Sequence, residues 1–131
     1  MKHAALLALF LGLFATPVLA SATLFCESPE NDDIEALITM GRDTDFAVVG
    51  AIIGGDGWLY ATHPMEGGEV VELSRASRDG AWVSMGFVLS GSTQEVVTLK
   101  LVMEFGEDAQ AIAGALWAGE GGLWPVICGL E

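Results

Sequence analysis

Two consecutive segments decide the fold of this chain: Ala81–Leu89, which reads AWVSMGFVL, and Glu95–Phe105, which reads EVVTLKLVMEF. In both, large apolar residues recur at every second position with small or polar residues between them, which is the period of a β-strand with one buried face. The residues predicted to face the core are Ala81, Val83, Met85, Phe87, Leu89, Val97, Leu99, Leu101, Met103 and Phe105. The short connection between the segments is rich in Ser and Gly, so the two segments predict an antiparallel hairpin.

Similar segments occur on both sides of this hairpin. Short apolar runs are separated by Gly, Asp, Asn and Ser, and the period of an amphipathic helix is absent from residues 21–131. The dipeptide Asp79-Gly80 favours a two-residue hairpin turn. The predicted strands are Thr23–Glu27, Ile34–Gly41, Phe46–Ile53, Trp58–Thr62, Glu69–Arg75, Ala81–Leu89, Glu95–Phe105, Gln110–Ala118 and Leu123–Cys128.

The first twenty residues have the pattern of a secretory signal peptide. Lys2 precedes an uninterrupted apolar run over residues 4–15, and small residues follow at a predicted cleavage site after Ala20, with Ala22 as the second choice. Cleavage leaves residues 21–131 as a single β domain that is periplasmic or secreted. A membrane anchor is the alternative, but the run is shorter than the ~20 apolar residues of a membrane span, and no later stretch approaches that length.

Cys26 and Cys128 are the two cysteines of the chain. Cysteine pairs in exported domains most often form disulfides, and no C-x-x-C motif or flanking basic residue favours a redox-active or metal-binding role. A disulfide that closes a loop of about 100 residues contributes roughly 4.7 kcal/mol in the chain-entropy model. We predict a structural disulfide that makes the first and last strands neighbours.

Eight or nine short strands with short connections predict an all-β domain in which successive strands pair as an antiparallel meander. So many strands do not form one flat sheet in a small domain, so the meander closes into a barrel or folds into a β-sandwich. The disulfide between Cys26 and Cys128 favours the barrel. Pro125 has no N–H group, which predicts that one side of the last strand is unpaired.

Charge and composition exclude several functions. The chain has 18 acidic and 5 basic residues, a formal net charge of −13, and Lys2 is lost with the signal peptide. This acidity argues against nucleic acid or an anionic membrane as the partner and favours a cationic protein or peptide. Two cysteines and two histidines are too few for a zinc site made of Cys and His alone. No cofactor is predicted.

The sequence also lacks a catalytic signature. It has no G-x-S-x-G nucleophile motif, and no two of its 18 acidic residues stand out as a glycosidase pair. His63, within YATHPM at residues 60–65, is the candidate general base or metal ligand, although a loop histidine before a proline is the simpler interpretation. We predict a non-enzymatic domain, with a hydrolase that uses His63 and carboxylates as the alternative.

An acidic cluster near the N-terminus of the mature chain is one candidate site. It consists of Glu27, Glu30, Asp32, Asp33 and Glu35. Oxygen ligands at this density suit Ca²⁺, and Asp43 and Asp45 would add two more, but the spacing departs from that of an EF-hand loop. A solvated loop is the simpler interpretation.

A second candidate is an interaction surface marked by Trp82, Arg75 and Arg78. Trp82 lies on the more polar side of its predicted strand, although tryptophans in small barrels more often fill the core or plug an end. Arg75 and Arg78 flank a turn and concentrate positive charge in an acidic chain. The simpler interpretation is surface ion pairing with Glu72 or Asp79, which contributes little.

Two predicted strands, Phe46–Ile53 and Gln110–Ala118, are apolar on both faces. Either both faces of these strands are covered, or they leave apolar surface for a partner. On the eighth strand, Ala111, Ala113 and Ala115 line one face, where small residues permit a close approach by a ligand or another backbone.

The hypothesis we favour is an exported, non-enzymatic binding or interaction domain with a cationic protein partner. The chain resembles the periplasmic inhibitors of c-type lysozyme in size, in export, and in the frame from Leu24-Phe25-Cys26 to Cys128. The resemblance implies a small β-barrel that binds a cationic enzyme. The chain lacks the S-G-x-x-Y loop of that family, so no inhibitory residue carries over.

A lipocalin-like carrier of an apolar ligand is a further alternative, because an eight-stranded barrel can hold one small ligand when side chains do not fill it. Several bulky residues predicted to point inward count against this alternative: Met40, Met85, Met103, Phe87 and Phe105.

Overall fold

The computed structural model describes residues 22–41, 47–119 and 122–131. The described strands are β1 (Ala22–Glu27), β2 (Glu35–Met40), β3 (Val48–Gly55), β4 (Trp58–Ala61), β5 (Glu69–Asp79), β6 (Trp82–Leu89), β7 (Glu95–Phe105), β8 (Gln110–Ala118) and β9 (Gly122–Leu130). The predicted signal peptide, Asp43, Asp45 and the predicted start of the third strand at Phe46 lie outside the described residues. The described part of the chain contains no helix with the length and apolar character that a membrane crossing requires.

The strands form a closed barrel in sequence order, so the predicted barrel is confirmed and the sandwich alternative is wrong. β1 pairs with β9 and brings Cys26 directly opposite Cys128, with 4.0 Å between their Cα atoms. The predicted disulfide between them is present. The register of β9 with β1 covers only Ile127 to Leu130, so Pro125 lies where that side of β9 has no β1 partner, as predicted.

One strand pair departs from the predicted antiparallel meander. β4 and β5 run parallel, with Tyr60 opposite Glu69 and Ala61 opposite Val70, whereas the other eight described pairs are antiparallel. Parallel strands usually need a long crossover. Here the overlap is only two residues, so the loop at 62–68 returns only a short distance along the strand axis before β5 continues in the direction of β4. Gly67, with φ of 76°, provides a turn in this loop that other residues rarely adopt.

The fifth strand is longer than predicted, because it continues past Arg75 to Asp79. An irregularity in register between Leu73 and Arg75 shifts the alternation, and the polar second half then pairs with β6 up to Asp79 opposite Trp82. A β-bulge of this kind inserts an unpaired residue and breaks the two-residue period. The predicted strand ended at Arg75 because the polar residues after it do not continue the alternation of the first half.

Apolar side chains fill the interior of the barrel, largely as the alternation predicts. The largest fully buried ones are Phe87, Leu24, Ile34, Ile38, Ile53, Met85, Leu99, Leu101, Ile112, Leu116, Val71 and Val83. The prediction is wrong for Phe105, which is 51% exposed. It pairs with Gln110 at the far end of the β7–β8 hairpin, where the strands extend beyond the packed core.

Two tryptophans and a tyrosine lie at the end of the barrel where β4 and β9 begin. The rings of Trp58 and Trp124 stack with centroids 5.7 Å apart, and Tyr60 lies at the same distance from Trp58. All three pack against the core. Gly55 and Gly122 leave the space that these indoles occupy, because a Cβ on either would overlap the neighbouring ring. Trp58 and Trp124 therefore agree with the expectation that tryptophans fill the core or plug an end, whereas Trp82 does not.

Candidate functional site

The outer face of β6–β9, which we call the Trp82 face, is apolar. Trp82, Val102, Ala113 and Ile127 follow one another in register across these four strands. Trp82 is 65% exposed and Ile127 is 60% exposed. The prediction that Trp82 points away from the core is therefore confirmed, and the outer side of β8 is apolar as expected. Lys100, which is exposed, lies on the same face.

The guanidinium of Arg75 is held by side chains of the barrel wall. Its Nε donates to Glu95 Oε1 at 2.6 Å, and its Nη1 donates to Ser84 Oγ at 2.5 Å. The pKa of Glu95 is lowered, chiefly by the hydrogen bond that it accepts from Arg75. The partial burial of Glu95 acts in the opposite direction and raises this pKa. Gly86 leaves room for Glu95 to lie across β6, since a Cβ at that position would overlap the carboxylate.

The ion pair expected for Arg75 with Glu72 or Asp79 is therefore wrong. The partner is Glu95 on β7, which the fold brings close although it is distant in sequence. Arg78 donates from Nε to the carbonyl oxygen of Gly80 at 3.1 Å. The two arginines thus form separate contacts.

The acidic cluster lies at the end of the barrel that carries the β1–β2 connection. Glu27 and Glu35 are directly opposite each other in the β1–β2 register. The loop between them turns through a hydrogen bond from the Asp33 N–H to Asn31 Oδ1 at 3.0 Å, and Ile34 anchors it in the core. Within the described residues, the carboxylates of the cluster have no Lys or Arg at ion-pair distance.

The cluster does not converge on a point. Among the described residues, no group of three or more His, Cys, Asp or Glu side chains is arranged to hold a metal ion. The described geometry therefore gives no support to the calcium alternative. Glu30 and Asp32 are exposed in the loop, whereas Asp33 and Glu35 border a depression in the barrel wall.

That depression is part of what we call the wall groove, on the outer side of β1–β4. A lower hollow of about 290 Å³ is lined by residues that include Asp33, Glu35, Leu37, Ile52, Trp58 and Leu59. An upper hollow of about 330 Å³ is lined by residues that include Thr23, Leu37, Thr39, Val49, Ile52 and His63. Leu37 and Ile52 border both hollows and are directly opposite each other in the β2–β3 register. The two hollows are therefore adjacent along the strands.

Glycines in β3 explain why the wall is hollow on either side of this pair. Gly50 and Gly54 lie two residues before and after Ile52, so all three belong to the same face of the strand. Gly50 lines the upper hollow and Gly54 the lower one. Sequence reasoning missed this site. The detectable pattern was two glycines four residues apart in an otherwise apolar strand.

His63 lies at the upper hollow and is exposed. The described residues that line this hollow include no carboxylate. The hydroxyl of the neighbouring Thr62 has a structural role, since its Oγ1 accepts a hydrogen bond from the Ala51 N–H at 3.0 Å. The structure thus brings His63 to the groove but places no described acidic partner beside it there.

Comparisons of the chain with protein-family models, with curated proteins and with solved structures find no match. No residue role is therefore carried over from a relative. The wall groove stands as a candidate site on its own geometry: an apolar floor bordered at one end by carboxylates.

Proposed function

We propose that the mature chain is an exported, non-enzymatic binding domain that takes a cationic protein or peptide segment in its wall groove. The observation that carries this proposal is the combination of apolar hollows with the Asp33 and Glu35 carboxylates at one of them. Apolar depressions on a protein surface mark interaction sites. Carboxylates without nearby cations select positively charged partners and accelerate their association.

Export is supported from two sides. The Cys26–Cys128 disulfide fits an extracellular or periplasmic protein. The first twenty residues supply the pattern of a signal peptide. Cleavage after Ala20 keeps the whole of β1, whereas cleavage after Ala22 removes a residue that pairs with Met40, so we favour the first site.

The filled interior favours the outer wall over a lipocalin-like carrier. A carrier of this size needs internal volume for its ligand. Met40, Met85, Met103 and Phe87 are all buried and occupy the inside of the barrel.

Site-specific photo-crosslinking tests the proposal in cells that export the protein. A benzophenone amino acid replaces Leu37 in the groove, Trp82 on the opposite face, or Gln110 at an exposed hairpin as the control. The expected result is a discrete cross-linked protein of basic composition from the Leu37 position, absent from the Gln110 position. Three results would overturn the proposal. They are cross-links from the Trp82 position alone, a cross-linked partner of acidic composition, and no cross-link from the Leu37 or the Trp82 position.

The lysozyme-inhibitor alternative has its own test within this proposal. The protein is titrated with a c-type lysozyme, a cationic enzyme, at low salt and micromolar concentration. Inhibition that is lost in Asp33→Lys/Glu35→Lys but kept in Glu107→Lys/Asp108→Lys, which has the same change in net charge at another site, supports it. Absence of inhibition by the unaltered protein eliminates this alternative and leaves other cationic partners.

A further inference from the structure

We infer that the wall groove recognises an extended peptide segment with Lys or Arg at one position and an apolar residue four positions away. This inference rests on the proposed function and specifies its ligand.

The spacing of the hollows sets the spacing of the ligand side chains. Gly50 and Gly54 are four residues apart in β3, which corresponds to roughly 13 Å in a strand. An extended ligand that runs along the wall has the same rise, and its residues i, i+2 and i+4 face the same side. Residues i and i+4 then reach the two hollows. The residue between them lies over the Leu37–Ile52 pair and must be small.

The lower hollow selects a cation. Asp33 and Glu35 border it, and Glu27 lies directly opposite Glu35 on the neighbouring strand. Like charges directly opposite each other in a sheet destabilise it. A bound Lys or Arg side chain relieves this repulsion and forms charge-assisted hydrogen bonds with the carboxylates.

The upper hollow selects an apolar side chain. Val49, Leu37 and Ile52 form much of its described lining, and Val49 is 64% exposed. Thr23 and Thr39 contribute at its border. Burial of these apolar surfaces under a Leu, Ile or Val side chain of the ligand is favourable.

Two peptides of identical composition test the spacing. Acetyl-Thr-Arg-Thr-Ala-Thr-Leu-Thr-amide presents Arg and Leu four residues apart, and acetyl-Thr-Thr-Arg-Leu-Thr-Ala-Thr-amide places them side by side on opposite faces. Titration is followed through the ¹⁵N–¹H resonances of Gly50 and Gly54. We expect about tenfold tighter binding of the first peptide, a typical effect of one charge-assisted hydrogen bond or one buried side chain. Equal affinities would overturn the inference.

Variants of the protein separate the two hollows. Gly50→Val fills the upper hollow, where an added Cβ would lie 3.5 Å from Thr62 Oγ1, an ordinary contact. It should abolish the preference for the first peptide. Gly129→Val is the matched control, because its Cβ meets no atom within 4 Å, and it should retain the preference. Asp33→Asn/Glu35→Gln should weaken binding of the first peptide about tenfold and reduce its salt dependence.

The outcomes distinguish this inference from the proposed function. Equal peptide affinities together with a basic protein cross-linked at Leu37 refute the extended-segment inference and keep the cationic partner. Equal affinities together with no cross-link at Leu37 refute both. A preference for the first peptide that survives in Gly50→Val also refutes the inference, because the upper hollow is then not the apolar subsite.

Discussion

The two halves of the barrel differ in strand length and in how they are joined. The strands β5–β9 have 8 to 11 residues, whereas β1–β4 have 4 to 8. The short half meets the long half at two seams. One is the antiparallel β1–β9 pair with its disulfide, and the other is the two-residue parallel overlap of β4 with β5.

The two halves also differ in packing and in the position of the proposed binding groove. Among the long strands, β6 and β7 have a continuous buried apolar face and supply much of the packing, and the wall groove lies on the half with fewer paired residues. Binding elements are commonly drawn from the less stable parts of a structure. The disulfide attaches that half covalently at the seam opposite the weak parallel pair.

Among the changes predicted here, removal of the disulfide should have the largest effect on the free energy of unfolding. Cys26→Ala/Cys128→Ala opens a link between residues 102 apart in sequence, and we expect a loss of about 2–5 kcal/mol in the free energy of unfolding. Urea denaturation measures the loss. Hydrogen exchange should show amides of β1–β4 losing protection before those of β6–β8. Equal loss of protection in both halves would contradict the division between them.

Substitution of a glycine in the long half should cause the second-largest loss of stability. A Cβ at Gly114 would overlap the carbonyl oxygen of Lys100 and lie 2.8 Å from the Cα of Leu101, both backbone atoms of the neighbouring strand. Gly114→Ala must therefore separate β7 from β8, and we expect a loss of about 1–3 kcal/mol, the usual range for overpacking. Thermal or urea unfolding measures it. Gly129→Ala, which has open space, is the control, and equal stability of the two variants would contradict the close approach.

The Arg75–Glu95 pair should give a smaller effect that depends on pH. The pKa of Glu95 is lowered in the folded state, chiefly by its hydrogen bond with Arg75. Its contribution is therefore fully present above the unfolded-state pKa and is lost as the pH falls through the lowered folded-state value. Because the side chains of Arg75 and Glu95 are 43% and 30% exposed, we expect less than about 1 kcal/mol.

The measurement is the unfolding free energy of the unaltered protein minus that of Glu95→Gln, followed from neutral to acidic pH. The difference should shrink toward acid. A difference that stays constant or grows would show that the charge of Glu95 does not contribute. Glu104→Gln, on an exposed residue opposite Ala111, serves as the control and should show no such trend.

The smallest predicted effect is an increase, not a decrease, in the free energy of unfolding. Glu35→Gln removes a like-charge contact with Glu27 and should raise the free energy of unfolding by a few tenths of a kcal/mol. The same substitution should weaken binding of the Arg-containing peptide. A variant that gains stability and keeps full affinity would show that the acidic end of the short half has no role in binding.

The alternation of apolar residues was enough to predict β6 and most of β7, because each of these strands has one buried and one more exposed face. The disulfide, and with it the closure of the barrel, followed from two cysteines near the ends of a domain that the sequence predicts to be exported. The parallel β4–β5 pair could not be predicted, because a loop of ordinary length permits either direction. The bulge near Ser74 and the partner of Arg75 depend on register between strands that only the fold establishes.

The candidate site was harder to predict than the fold. Glu35 was visible in the acidic cluster, but its neighbours in the groove come from different strands. Leu37 and Ile52 were assigned only to apolar strands, and the hollows exist because Gly50 and Gly54 lack side chains beside them. Missing side chains leave little trace in a sequence pattern, whereas charged clusters stand out. For this reason the charge of the candidate site could be predicted from the sequence, but its shape could not.

The pairing of β1 with β9 has a consequence for biogenesis. The hairpins of β5–β8 join residues close in sequence and can form early, whereas β1 must wait for β9, which is synthesised after the other described strands. A chain truncated before β9 keeps a free thiol at Cys26 and exposes unpaired edges on β1 and β8. Such edges promote aggregation. The nascent chain is therefore protected from aggregation only after β9 has been translated and the two thiols have been oxidised.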